Sequence, residues 1–188
     1  MTLDKPTLRR QILQQRQSLP TAEWQHRSNL ICDRLKVSSL FLEAKTVLAY
    51  FSFRQEPDLA SLFSLDRQWG FPRCVGKSLV WHQWQPGDEL KSGKYGICEP
   101  SSTAPTILPH AADLILVPSV ACDLDGYRLG YGGGFYDRLL SEANLPATTI
   151  GIVFDFAYEI SLPKDNWDIP LNFICSETRF DNYVDFLS

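Results

Sequence analysis

No stretch of this 188-residue sequence approaches the ~20 consecutive apolar residues that a membrane-spanning helix requires. The opening "MTLDKPTLRRQ" is charged, so no secretory signal is expected and the cytoplasm is the default location. Blocks of basic residues are missing as well. With a formal net charge of -4, the chain has no electrostatic footprint for nucleic acid or for an anionic membrane, which leaves a small molecule as the expected partner. Histidine is scarce: His26, His82 and His110 stand alone and form no HExxH pair, which argues against a metalloprotease-like centre. Cysteines 32, 74, 98, 122 and 175 are odd in number and lack CxxC spacing, so reduced, buried thiols are expected in place of a zinc or redox site. Any metal should then be a hard one, held by carboxylates. Internal repeats, low-complexity tracts and linker composition are absent too. One domain over residues 1–188 is expected, and with 44% apolar and 21% charged side chains it can bury a real core.

What is present alternates between two periodicities. "DKPTLRRQILQQRQSL" has Asp4 as a possible cap, Pro6 where a helix start tolerates it, and Leu8, Ile12 and Leu13 at helical spacing; "PTAEWQHRSNLICDRL" puts Trp24, Ile31 and Leu35 on one face. β-rich runs predict strands at "TVLAYFSF", "SLVWHQW", "ADLILVP", "TTIGIVF" and "NFICSE", with helices at "DLASLFSLDRQW" and "GFYDRLLSEA". This alternation predicts an α/β domain, a mixed, mostly parallel sheet flanked by helices on both faces. "PSSTAPTILPHAA" reads as a connection over the surface.

The segment "GYRLGYGGGFYDRLL", Gly126 to Leu140, follows an apolar strand and runs into an amphipathic helix. Backbone N–H groups in such a setting can cradle a phosphate, and glycine lets the anion approach without a Cβ in the way. A tight turn or close helix packing would use the same glycines. The loop lacks the Lys and Ser/Thr of GxxxxGK[ST], and Phe135 stands where GxGxxG needs its last glycine. Charge must come from its neighbours. Arg128 sits at the loop's entry, and Asp137, in the first helical turn, can accept backbone hydrogen bonds or hold Mg²⁺. Lys5, Arg9 and Arg16 form a rough stripe on the first helix, which reads either as a solvated face or as the missing cations. Glu56 lies just past an expected strand end, where ligands sit in open α/β sheets, and a helix cap is its plainer role. Asp168 and Glu99 are turn residues or site carboxylates.

Taken in order, "KPTLRRQILQQRQSL", "AYFSFRQEPD", "KYGICEP", "LVPSVACDLDGYRLGYGGGFYDRLL" and "DIPLNFICSE" resemble the 5-formyltetrahydrofolate cyclo-ligase family, also called methenyltetrahydrofolate synthetases. The resemblance runs through nearly the whole chain, and the glycine block is its specific part. It implies a single α/β domain that uses ATP and Mg²⁺ to convert 5-formyltetrahydrofolate into 5,10-methenyltetrahydrofolate, with release of ADP and phosphate. By resemblance, Lys5 and Arg9 contact ATP, and Arg128, Leu129, Gly130, Tyr131, Gly132, Gly133, Gly134, Phe135 and Tyr136 wrap its phosphates. Asp137 and Asp168 match the magnesium positions. Phe51 and Glu56 match the substrate positions, and Arg128, Tyr136 and Asp137 carry the chemistry. Asn172 departs from the family's usual Asp, which would weaken an acidic contribution near Asp168. Gly133 departs from its usual polar residue, leaving more of the phosphate charge to Lys5, Arg9 and Arg128. The chain is expected to act as a monomer, although Trp24 or Trp69, if exposed, would offer an interface. The competing expectations are a catalytically silent folate or nucleotide binder on the same scaffold, and a sugar-phosphate isomerase or acyl-transfer enzyme whose loop binds one phosphate.

Overall fold

A computed structural model describes residues 4–142, 145–158 and 160–184. Helix α1 (Lys5–Gln17) starts as its sequence dictates: the Asp4 carboxylate accepts from the Thr7 N–H at 2.8 Å, and Leu8 and Ile12 are buried. Helix α2 (Thr21–Val37) buries Ile31, Cys32 and Leu35, and short α3 (Ser39–Glu43), capped by Ser38, buries Phe41.

Among the described residues twelve strands follow: β1 (Thr46–Leu48), β2 (Gln68–Val75), β3 (Ser78–Gln83), β4 (Leu90–Ser92), β5 (Cys98–Pro100), β6 (Thr106–Ile107), β7 (Leu114–Pro118), β8 (Ala121–Cys122), β9 (Arg128–Leu129), β10 (Thr148–Ile152), β11 (Phe173–Cys175) and β12 (Phe180–Asn182). Eight of them form one sheet in the order β12-β11-β10-β7-β1-β2-β3-β6; β4 pairs with β5, and β8 with β9, as separate ribbons. Pairing is parallel from β2 through β1, β7 and β10 to β11. It turns antiparallel at the edges, where β3, β6 and β12 close the sheet.

Side chains of β7 alternate between two cores, as the pleat requires. Leu114 and Leu116 pack with Ile31, Leu35 and Phe41 on the α2 and α3 face. Ile115 and Val117 pack on the other face with Trp81 and with Leu139 of α4 (Phe135–Leu140). Helices therefore cover both faces of a mostly parallel sheet. A third cluster joins Leu8 and Ile12 of α1 to Cys122 and Leu129 of the β8–β9 ribbon. That contact docks the first helix beside the loop that leaves β9, and so brings its cations to the glycines.

Some expectations change. "DLASLFSLDRQW" is one short turn of 3₁₀ helix, Ala60–Leu62, followed by the start of β2. The strand expected over "TVLAYFSF" ends at Leu48, and "PSSTAPTILPHAA" supplies the edge strand β6. The end of "GFYDRLLSEA", at Ala143, lies outside the described residues. Trp69 is buried, and half-buried Trp24 donates its indole N–H to the Glu56 carbonyl at 2.8 Å, so neither is a free exposed tryptophan. All five cysteines are free thiols, but Cys74 is only half-buried and Cys98 is exposed. Among the described residues, no helix is long and apolar enough to cross a membrane.

Candidate active site

Where β1, β2 and β7 end, the chain opens a cavity of about 1090 Å³ bordered by residues from seven separate stretches. The carboxyl ends of parallel strands are the usual seat of a ligand in an open α/β sheet, because the chains diverge there and leave backbone and loop side chains facing one space. All the sequence-predicted site residues border it: Lys5, Arg9, Phe51, Glu56, the run Arg128–Asp137, and Asp168. Leu129 does so while only 2% exposed, its side chain in the core cluster that also holds Leu8.

The glycine loop forms one wall. Gly132 and Gly134 have φ of +93° and +67°, a backbone that a side chain strains, and a Cβ on Gly132 would sit 3.5 Å from the Arg9 guanidinium carbon. Arg9 donates from Nε to the Gly130 carbonyl at 2.6 Å, so a helix cation lies directly on the loop. No backbone–backbone hydrogen bond among the described residues is donated by the N–H groups of 130–134. Arg138, one turn into α4, reaches back to the Gly133 carbonyl at 2.9 Å and to that of Lys77 at 2.6 Å. A cation therefore stands at the very loop position where the sequence departs toward glycine.

Three carboxylates on this wall are held by cations. The Arg128 Nη2 donates to Asp137 Oδ1 at 2.6 Å, and the Lys5 Nζ contacts both Asp165 and Asp168 at 2.6 Å. Asp168 also accepts from the Asp165 N–H at 2.7 Å. Among the described residues, no group of three or more His, Cys, Asp or Glu side chains gathers at one point. Asp137 and Asp168 do face the same cavity, and Mg²⁺ commonly uses one or two carboxylates plus substrate phosphates, so the pair fits a metal that arrives with a phosphate ligand. Asn172 contributes to a strand, not to this wall. Its side-chain oxygen accepts from the Thr149 N–H and hydroxyl at 2.8 and 2.9 Å, tying β11 to β10.

The opposite wall is aromatic and buried. Phe51 leaves β1, stacks on Phe71 at 4.1 Å between centroids and meets Trp84 edge-on. Glu56, 4% exposed, accepts from the Phe53 N–H at 3.0 Å. Burial pushes its carboxyl up to about 7, with Arg16 and the Phe53 N–H acting against the shift. Burial likewise holds the Tyr136 hydroxyl well above its ordinary value, so Tyr136 is a hydrogen-bonding group near neutrality and not a base. Its hydroxyl is buried and takes no partner among the described residues, and the Arg128 guanidinium lies 5.6 Å from its ring centroid.

The sequence reading missed three residues. Arg16 looked like part of a cation stripe, yet it is 1% exposed and sits behind Glu56, far from solvent. Only its spacing on the buried face, four residues past Ile12, signalled this. Arg138 was not singled out in the sequence. Trp167 borders the cavity while 66% exposed, and nothing in its local sequence distinguished it from a loop residue.

A mostly parallel α/β sheet whose strand ends carry an aromatic pocket and a cation-lined glycine loop defines the class: an enzyme site for a small ligand. Comparison with known proteins gives the family. A family model described as 5-formyltetrahydrofolate cyclo-ligase matches residues 1–177. The 5-formyltetrahydrofolate cyclo-ligase of Mycolicibacterium smegmatis is 32% identical over 189 residues, 93% of this chain and 94% of the relative. That of Haemophilus influenzae is 32% identical over 156 residues, 78% and 79% of the two chains. The NMR structure of Aquifex aeolicus 5,10-methenyltetrahydrofolate synthetase matches with a TM-score of 0.85 and 32% identity, covering 96% of this chain and 93% of that one. The chain belongs to the 5-formyltetrahydrofolate cyclo-ligase family of enzymes.

Proposed function

We propose that this enzyme converts 5-formyltetrahydrofolate into 5,10-methenyltetrahydrofolate, driven by ATP with Mg²⁺ and releasing ADP and phosphate. The observation that carries the reading is the meeting of two chemically different walls in one cavity: cations and bare backbone on one side, aromatic rings and a buried carboxylate on the other. A formamide oxygen is a poor leaving group. The γ-phosphoryl of ATP passes to that oxygen, N10 attacks the activated carbon and loses its proton, and the C–O bond breaks to free phosphate.

This route asks the protein for alignment and for neutralisation of charge on a transferring phosphoryl group. Lys5, Arg9 and Arg128 supply fixed cations, and the N–H groups of the loop face phosphate oxygens. Asp137 and Asp168 would hold Mg²⁺, which when bound supplies further neutralisation of the phosphates. Phe51 stacks on the folate side, and Glu56 accepts hydrogen bonds from the amino and ring N–H groups of the pterin. Tyr136 lies between the two ligands, where its free hydroxyl can donate to either.

The direct test is the methenyltetrahydrofolate absorbance band in a mixture of purified protein and 5-formyltetrahydrofolate, with ATP and Mg²⁺ each added or withheld. A rise that needs both supports the reading. No rise, with folate binding intact by calorimetry, would make the protein a silent binder. A second outcome separates the walls: Arg9→Ala is expected to raise the KM for ATP by about tenfold, one charge-assisted hydrogen bond's worth, and to leave the folate KM within about twofold. Equal kinetics for ATP would return Arg9 to a purely structural contact with Gly130.

A further inference from the structure

Among the described residues Arg16 is the largest charged side chain sealed inside, and it does not border the cavity. Its Nε donates to the Arg54 carbonyl at 3.1 Å, and its Nη2 donates to the Tyr131 hydroxyl. Nη1 is buried and has no hydrogen-bond partner among the described residues. The guanidinium also lies 5.5 Å from the Tyr131 ring centroid. Burying a guanidinium is costly unless its surroundings use the charge.

Its carbonyl partner belongs to an unusual turn. Arg54 and Gln55 have φ of +49° and +56°, two successive non-glycine residues in the left-handed region, immediately before Glu56. Such a backbone is strained for a residue with a side chain and persists only where neighbours hold it. Here the holders are Arg16 on the Arg54 carbonyl, Leu19 whose carbonyl accepts from the Gln55 side chain at 3.2 Å, and the Trp24 and Ser52 donors on the Glu56 carbonyl, both at 2.8 Å. The hydroxyl of Tyr131, the second partner of Arg16, donates to the carbonyl of Phe53 at 3.5 Å, the residue whose N–H the Glu56 carboxyl accepts. Helix α1, the turn before Glu56 and the glycine loop thus meet on one guanidinium.

We propose that Arg16 is a positioning residue for folate recognition: its buried guanidinium fixes the strained turn that aims Glu56 into the cavity and ties that turn to Tyr131 of the glycine loop. This rests on the reading of Glu56 as the folate carboxylate. The planar fork suits the task, because two N–H groups pointing in fixed directions hold two acceptors on separate segments where a lysine holds one. A second effect follows from charge. The groups facing Glu56 are Arg16 from α1, Tyr131 from the loop, Tyr136 from α4 and Tyr50 from the chain leaving β1. The three tyrosines are held above their ordinary range and stay neutral near pH 7, so Arg16 is the charge that favours the ionised form of Glu56.

The test is the folate KM as a function of pH in the wild type, Arg16→Met, Arg16→Lys and Glu56→Gln, at saturating ATP. Methionine keeps the length but removes the charge and both bonds. The expected result is a folate KM raised by about tenfold, kcat within about threefold, and the acid limb of the profile moved to higher pH by about one unit. A merely structural arginine would lower the amount of active enzyme and leave that limb in place. If Glu56→Gln raises the folate KM while Arg16→Met changes neither KM nor limb, the proposal is overturned and the role of Glu56 survives. If Glu56→Gln leaves folate KM unchanged, the reading of Glu56 falls, and the proposal with it. Should Arg16→Met fail to fold, Arg16→Lys decides: the charge is kept and the fork lost, so folate KM should rise several-fold with the limb unmoved, and a KM within about twofold of wild type overturns the proposal.

Discussion

Asp137→Asn is expected to lower kcat for cyclisation by about a thousandfold, because the proposed reaction turns on electrostatic stabilisation of a transferring phosphoryl group. The side chain is suited to a clean experiment. It is a third exposed, and its one strong contact is the Arg128 guanidinium at 2.6 Å. Asparagine keeps an oxygen to accept that hydrogen bond and loses only the charge. The stability cost should be about 1 kcal/mol, a fall in Tm of a few degrees for a chain of this size. Activity and calorimetric Tm measured on one preparation separate the roles. A Tm loss of ten degrees or more with normal specific activity would make Asp137 a helix-start carboxylate and nothing else.

The second large effect is at Glu56. Glu56→Gln is expected to raise the folate KM by roughly 30-fold to 100-fold and to leave the ATP KM near wild type, since a site built to accept hydrogen bonds fails badly when an acceptor becomes a donor. pH gives an independent reading. Burial raises the carboxyl to about 7, so the ionised acceptor form grows as pH climbs from 6 to 8. Wild-type folate KM should therefore fall across that interval and level off above it, while the glutamine variant stays flat. The sign for stability is opposite. A carboxyl whose folded value lies above its ordinary 4.5 binds its proton more tightly in the folded state, so ionising it costs stability as pH rises from about 4.5 to about 7. A folate KM independent of pH between 6 and 8 would remove Glu56 from recognition.

Much of this architecture was legible in the sequence where local chemistry and final position agree. Asp4 caps α1 as its side chain suggests, and the continuous apolar run Leu114–Pro118 is a central parallel strand covered on both faces. The glycine loop announced itself because positive φ can be read from residue type. Strand β2 stayed hidden for the opposite reason. Gly70 and Pro72 look like breakers, yet a Cβ on Gly70 would meet Leu48 Cδ2 at 2.5 Å, so the glycine permits close packing. Pro72 lies beyond the last residue paired to β1, an edge position where a missing N–H costs little. Arg16 was misread because a helix wheel gives a direction and not what lies there: only the fold brings Tyr131 and the Arg54 turn to that face. The stretch after Leu48 kept strand composition while leaving the sheet, since its aromatics are spent on the cavity wall.

The pairs Arg128–Asp137 and Lys5–Asp168 make this wall an ion exchanger loaded with its own counter-ions. A bare divalent cation must displace an arginine or a lysine from a carboxylate at 2.6 Å, and a bare polyanion must draw those cations away and strand the acids. A species that brings both signs trades with both members of each pair at once. On the proposed metal roles of Asp137 and Asp168, the wall favours a preassembled metal–anion couple over either ion alone, a form of coincidence detection made from four ordinary side chains.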